Sequence, residues 1–454
     1  SYFTLVEAGL ASVITASLYI PLAQKNNTKV NQILTAAKNY YIKIGYIFSG
    51  LVISLAIIYP FIISTQSLSS FEIVVLVIVL GFHGAFDFFT LARYRALLTA
   101  DQKYYVVANA TTISNILNFL LVYICIKLSF GIIEVRALAL TTYIIRSIIL
   151  NIYIRYHYKY VDYSVIPDSN ALNKRWDAMI LQLLGLVQTS MPVVMLTIFT
   201  KDLKIISVYS IYNLVASNII AILTAVTNGF AASFGDIIAK KETDILKKTY
   251  RQYEVLFYSL MTLAYSCMNI LYISFVKIYT SGVTDINYIQ PSIALLFVIN
   301  GIMYNLKTPA GTLIGAAGVF KETKKSTIIQ TAIAIILTLV LTPIWDIKGV
   351  LIALIVSNLY RDIDLIIYMS NNVTKIPYIE TFKRIFGYLI IIVISNIPFH
   401  YISLNPSNLL KWFLDALIVS IWCTLLIILY NVIFEKDILL DIFKRIKIKF
   451  KGVN

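Results

Sequence analysis

Apolar residues in this chain gather into long runs, separated by short clusters of polar, charged, Gly and Pro residues. Thirteen runs stand out, near residues 2–22, 37–63, 71–98, 105–128, 132–156, 176–199, 204–233, 250–275, 287–315, 326–344, 347–370, 380–403 and 408–434. About 20 apolar residues are what a helix needs to cross the hydrocarbon core of a bilayer. The pattern predicts an all-α polytopic membrane protein with about thirteen transmembrane helices. The first run is the weakest, because it carries Glu7 and several small residues.

Composition excludes the soluble alternative. Hydrophobic residues make up 59% of the chain, charged residues 13%, and the mean hydropathy is +0.80. Soluble domains carry about a quarter charged residues. The net charge of +15 is explained by loops rather than by nucleic acid, because Lys and Arg accumulate on the cytoplasmic side of membrane proteins. Loops after odd-numbered runs, with the C-terminal tail and adjoining run ends, hold 27 Lys and Arg; loops after even-numbered runs hold 6. The alternation has no exception, so a missed or invented helix would have reversed it. It places the odd loops and the C-terminus in the cytoplasm, with residue 1 facing outward. Cys125, Cys267 and Cys423 lie in apolar runs and read as packing residues. His83, His157 and His400 are too scattered for a metal cluster, and no cofactor is expected. The chain starts at Ser1 in what already reads as a helix, without a basic leader or a small-residue cleavage site. The expectation is an incomplete start with one helix missing.

A faint duplication appears at a shift of about 213–215 residues. Ala100-Asp101-Gln102-Lys103 and Ala317-Gly318-Val319-Phe320-Lys321 each end a helix and precede two runs, the second carrying an arginine, Arg146 or Arg361. The basic stretches Lys25 to Lys38 and Lys240 to Lys248 also correspond. The register predicts an N-terminal lobe over 1–156, lacking its first helix, and a cytoplasmic loop over 157–175. A C-terminal lobe over 176–370, two additional helices over 371–434 and a basic tail over 435–454 complete it. Two pseudo-symmetric six-helix lobes around a central cavity is the architecture this implies, with substrate between the lobes.

Intramembrane charges are costly and normally face a cavity or a partner. The candidates are Glu7, Asp87, Arg136, Arg146, Lys307, Arg361, Asp362, Asp364 and Asp415. Arg146, Lys307 and Arg361, with Arg136 nearer the surface, are expected to line a cationic cavity and to hydrogen-bond an anion. The opposing reading is structural pairing, since Arg361 and Asp364 lie one helical turn apart. Glu7, Asp87 and Asp364 are candidates for coupling to a proton or sodium gradient. Pro309, with Gly311 and Gly315 after it, is expected to kink its helix as a gate, and Pro192 is a second possible hinge. Arg93 and Arg95 read as interface anchors.

The chain resembles bacterial polysaccharide repeat-unit flippases of the multidrug/oligosaccharidyl-lipid/polysaccharide exporter superfamily. The likeness rests on Glu7-Ala8-Gly9-Leu10, then Leu18-Tyr19-Ile20-Pro21-Leu22-Ala23, and on Tyr94-Arg95-Ala96-Leu97-Leu98-Thr99-Ala100-Asp101-Gln102-Lys103. It continues in Ser207-Val208-Tyr209-Ser210-Ile211-Tyr212-Asn213 and Ala316-Ala317-Gly318-Val319-Phe320-Lys321-Glu322-Thr323. The resemblance implies a transporter and not an enzyme, moving undecaprenyl-pyrophosphate-linked oligosaccharide between leaflets. It implies two six-helix lobes plus two helices, a positively charged cavity, membrane lipids as surroundings and polysaccharide polymerase machinery as a partner. Lys307 stands where relatives commonly carry Arg before the proline, so the bidentate grip of a guanidinium on phosphate is absent there. The competing functions are a cation-coupled multidrug exporter of the same superfamily, which an acidic cavity would suit, and a membrane polysaccharide polymerase. The short outer loops weigh against the polymerase.

Overall fold

The computed structural model describes residues 2–62, 69–168, 175–200, 202–402, 404 and 406–441. Among them the regular structure is helical, with no strand. The helices are α1 (Tyr2–Ala23), α2 (Asn27–Ile62), α3 (Ser70–Thr90), α4 (Ala92–Ala100), α5 (Tyr104–Lys127), α6 (Ile132–His157), α7 (Arg175–Thr200) and α8 (Leu203–Ala239). They continue as α9 (Thr243–Tyr279), α10 (Pro291–Leu306), α11 (Thr308–Ala317), α12 (Phe320–Met369), α13 (Tyr378–Tyr401) and α14 (Leu409–Phe434). Eleven stretches among the described residues are long and apolar enough to cross a membrane. One of them contains two expected runs: α12 turns back at Asp346, whose φ of 47° and ψ of −124° are not helical. Gly349 makes that turn possible, because a Cβ there would lie 2.1 Å from the Leu341 carbonyl oxygen. The chain is thus a multi-pass membrane protein with the all-α architecture expected.

The chain divides into two compact units, Ser1–Leu183 and Leu184–Asn454. In the first, α1 packs on α2 and α4, α2 on α3, α3 on α6, and α5 on α6. In the second, α8 packs on α9 and α11, α9 on α10, and α10 on α12, so the pairings repeat. The connections repeat as well. Left-handed residues mark Lys25, Gln102 and Ser129 in one unit and Lys241, Gly318 and Asp346 in the other, each pair about 216 residues apart. A left-handed residue is a specific steric event, so three in register are stronger evidence of duplication than the residue types. In both units the helix at the matching place in the repeat is interrupted, at Leu91 between α3 and α4 and at Lys307 between α10 and α11. The two additional helices, α13 and α14, pack on α9 of the second unit.

The second unit has a tyrosine-rich core. Tyr258, Tyr265 and Tyr272 repeat every seventh position along α9, which puts them on one face, and all are buried. A tyrosine in an apolar interior needs a partner for its hydroxyl. Tyr272 donates to the Tyr212 carbonyl at 2.5 Å, Tyr258 to the Leu306 carbonyl at 2.9 Å, and Tyr265 accepts from Asn305 Nδ2 at 2.9 Å. Cys125, Cys267 and Cys423 are free thiols.

Candidate functional site

Each unit places its intramembrane charges where the interrupted helix meets the last helix of the repeat. In the first unit, α3 supplies Asp87, α4 supplies Arg95 and α6 supplies Arg146. Arg95 Nη2 lies 2.6 Å from Asp87 Oδ2, and Arg146 Nη2 lies 3.0 Å from Asp87 Oδ1. One buried carboxylate therefore holds two guanidinium groups. The side chain of Arg95 remains 32% exposed and that of Arg146 16%. Arg146 also lies over the Tyr143 ring, 5.3 Å from its centroid, and its Nε is buried without a hydrogen-bond acceptor. Arg95 is thus not a simple interface anchor. Arg93, beside it, stacks on the rings of Tyr94 and Tyr163 at 4.8 and 4.9 Å.

In the second unit the break at Lys307 frees backbone carbonyls at membrane depth, where water cannot satisfy them. Side chains do so instead. Tyr258 caps the Leu306 carbonyl, and Lys307 Nζ donates back to the Tyr304 carbonyl at 3.1 Å. The same ammonium donates to Asn358 Oδ1 at 2.8 Å and stands 3.8 Å from Asp362 Oδ1. Gln330 Nε2 also reaches Asn358 Oδ1, at 3.1 Å, and Asn358 Nδ2 donates to Asn300 Oδ1 at 3.3 Å. This is a connected network of amides around one ammonium. Gln188 on α7 extends the polar layer by donating to Thr331 Oγ1 at 2.7 Å. Asp362 is almost fully buried, and neither of its oxygens has a hydrogen-bond donor. Arg361 is 3% exposed and donates to Asp364 Oδ2 at 2.7 Å, while Ser326 donates to Asp364 Oδ1 at 2.9 Å.

The three cations expected to meet an anion are therefore each matched to a carboxylate. Arg361 is buried and pairs with Asp364 on its own helix, the structural pairing weighed above against a cavity role. Lys307 is partly committed to closing the end of α10. Arg146 shares Asp87 with Arg95 and keeps a buried Nε without an acceptor. Arg136 is exposed on α6, and Glu7 lies in α1 with its side chain outside the described residues. α10 ends at Leu306, three residues before Pro309, and the Gly311 N–H donates to the Lys307 carbonyl at 2.7 Å. Gly311 has Leu365 at 3.9 Å from a built Cβ, whereas Gly315 faces open space. α7 continues through Pro192 without interruption.

A third cluster joins α13 and α14 to α9. Arg384 Nη1 lies 2.5 Å from Glu254 Oε2, Arg384 Nε lies 2.6 Å from Glu435 Oε1, and Arg251 Nε lies 2.7 Å from Glu380 Oε1. Thr381 donates to Glu254 Oε1 at 2.7 Å. Glu254 falls inside an apolar run and passed unremarked among the sequence candidates. The signal available was a lone acid in such a run.

No protein-family model matches the chain, and no curated protein does. Its fold is shared with solved transporters at low identity. A multidrug resistance MATE family transporter of the MOP superfamily, in an outward-facing conformation, superposes with a TM-score of 0.66 at 12% identity, covering 85% of each chain. A MOP superfamily transporter from Pyrococcus furiosus gives 0.67 at 12% identity, again over 85% of each chain. The Vibrio cholerae MATE transporter VcmN in its bent form gives 0.63 at 14% identity, over 85% of this chain and 87% of that one. These likenesses establish the fold.

Proposed function

We propose that this protein is an alternating-access transporter that moves undecaprenyl-pyrophosphate-linked oligosaccharide repeat units from the cytoplasmic to the outer leaflet of the inner membrane. The observation that carries the reading is Arg146, which reaches Asp87 through Nη2 at 3.0 Å, shares that carboxylate with Arg95, and holds its Nε within the helical bundle without a hydrogen-bond acceptor. An anionic pyrophosphate can take the remaining donors of Arg146 in charge-assisted bonds. The Asn300, Gln330 and Asn358 amides of the second unit supply the donor and acceptor pairs that sugar hydroxyls use. The neighbouring fold is compatible with either sign of cargo, since the Pyrococcus furiosus transporter is described as having a binding pocket of reverse polarity that suggests a different function. Delivery to polysaccharide polymerase machinery, and driving by a proton or sodium gradient through Asp87, Asp364 or Glu7, belong to the same proposal.

The test follows lipid-linked oligosaccharide across the membrane in cells with and without the gene. Deletion is expected to leave the lipid on the inner leaflet. Arg146→Ala is expected to reduce transfer at least tenfold at unchanged protein level, since the loss of one charge-assisted contact is worth about 1.5–3 kcal/mol. Unchanged transfer on deletion refutes the assignment. A second reading, cation-coupled multidrug export, draws on the unsatisfied carboxylate of Asp362. It predicts that Asp362→Asn abolishes efflux of a cationic dye from proteoliposomes, while lipid-linked oligosaccharide stays unaffected by the deletion.

A further inference from the structure

A cleft of about 630 Å³ opens where α9, α13 and the end of α14 meet, lined by Arg251, Glu380, Lys383, Arg384, Glu435, Lys436 and Asp437 on its polar side and by Tyr430, Ile433 and Phe434 on its apolar side. Its position along the membrane normal is set by the chain itself. α14 is apolar through Ile433 and Phe434, which are 60% and 69% exposed, and turns charged at Glu435. That change marks the boundary between hydrocarbon and headgroups.

The charges in the cleft are of two kinds. Arg384, Arg251, Glu380 and Glu435 are committed to one another in the cluster described above. Lys383, Lys436 and Asp437 are exposed, and none of them has a hydrogen-bond or ion-pair partner among the described residues. Two free ammonium groups and one free carboxylate therefore face the same cleft, beside an apolar wall at headgroup depth.

We propose that this cleft is a binding site for a zwitterionic aminophospholipid. The phosphate sits between Lys383 and Lys436, the primary ammonium meets Asp437, and an acyl chain lies along Ile433 and Phe434. The charge pattern selects this headgroup. A purely anionic lipid leaves Asp437 opposed to its charge, and a choline headgroup has no N–H to donate to it. The site is separate from the transport reading and makes α13 and α14 a lipid-sensing appendage to the second unit.

The experiment uses the full chain, delipidated in a mild detergent, and follows its thermal unfolding midpoint in mixed micelles. Phosphatidylethanolamine at a hundred times its dissociation constant is expected to raise the midpoint by about 5 °C, and phosphatidylcholine and phosphatidylglycerol by less than a third of that. Lys383→Gln with Lys436→Gln, and separately Asp437→Asn, are expected to keep the lipid-free midpoint and lose the increment. Free phosphoethanolamine is expected to give no shift, because it lacks the chain that Ile433 and Phe434 hold. An equal rise with phosphatidylcholine, an equal rise with free phosphoethanolamine, or an increment that survives all three substitutions overturns the proposal.

Discussion

Arg384→Met tests whether buried charge, rather than apolar packing alone, secures the additional helices to the second unit. The substitution keeps the side-chain stem and removes a guanidinium, 4% exposed, that reaches Glu254 at 2.5 Å and Glu435 at 2.6 Å. Glu254 is completely buried, so it loses its cation while water stays excluded. Breaking a buried pair from one side costs about 3–5 kcal/mol, most of it the orphaned charge. Spread over an unfolding entropy of about 2.1 cal/mol/K per residue for the second unit, that is a fall of about 5–9 °C in unfolding midpoint. The assay is thermal unfolding in detergent, read by intrinsic tryptophan fluorescence, because Trp412 and Trp422 lie on α14 and move with it. Glu254→Gln in the same chain removes the orphaned charge and is expected to recover more than half of the loss. Lys240→Met is the control: its pair with Asp236 is exposed at the end of α8, and no measurable shift is expected. A midpoint for Arg384→Met within 1 °C of the parent, or a double variant no better than the single one, refutes the reasoning.

Two further outcomes follow from local geometry. Gly349→Ala drives a methyl group to 2.1 Å from the Leu341 carbonyl, a backbone atom that cannot rotate away. It is expected to cost about 3 kcal/mol or more and to lower the folded yield, measured by size-exclusion profile. Gly185→Ala, with open space around it, is expected to leave the yield unchanged or to raise it through helix propensity. Tyr158 lies outside the membrane-length helices, and its phenol is pushed above its ordinary value of 10.0, first by burial and then by donating to Asp101 Oδ2 at 2.5 Å. A pKa raised on folding contributes stability that is complete below pH 10.0 and is lost as pH rises beyond it. The segment that follows α6 is therefore expected to resist protease through neutral pH and to open above about pH 10. Tyr158→Phe is expected to flatten that alkaline transition, and a transition of unchanged size refutes the contribution.

The helices were legible because bilayer length and hydropathy dictate them almost by themselves. The expected runs at 105–128 and 132–156 correspond to Tyr104–Lys127 and Ile132–His157. Even the double crossing inside α12 was readable, from the Trp345-Asp346 interruption between two apolar runs. The interruption at Leu91 was not, because no Pro or Gly marks it and it emerges only against its counterpart at Lys307. Pairing was the least legible property. Hydropathy identifies that a charge lies in the membrane, but its partner comes from another helix: Arg146 finds Asp87 from 59 residues away, and Arg384 finds Glu254 from 130.

Lys307 shows why the chemistry of a residue type is a weak guide in such a place. A lysine before a proline in an apolar helix suggests a phosphate ligand. The same proline, by ending the helix, also leaves carbonyls that need a donor, and Lys307 supplies one to Tyr304. Its remaining donors are divided between Asn358 and the neighbourhood of Asp362. An anion that claimed this ammonium would have to compete with its backbone and amide partners, and the net gain is small. Arg146 carries no such obligation to an open helix end. Its Nε is buried without an acceptor, so an anion there would meet an unanswered donor instead of competing for a committed one. The open donor of Arg146 therefore makes the first unit the stronger place to test for the anionic end of the proposed substrate, while Lys307 in the second unit is occupied in holding a broken helix together.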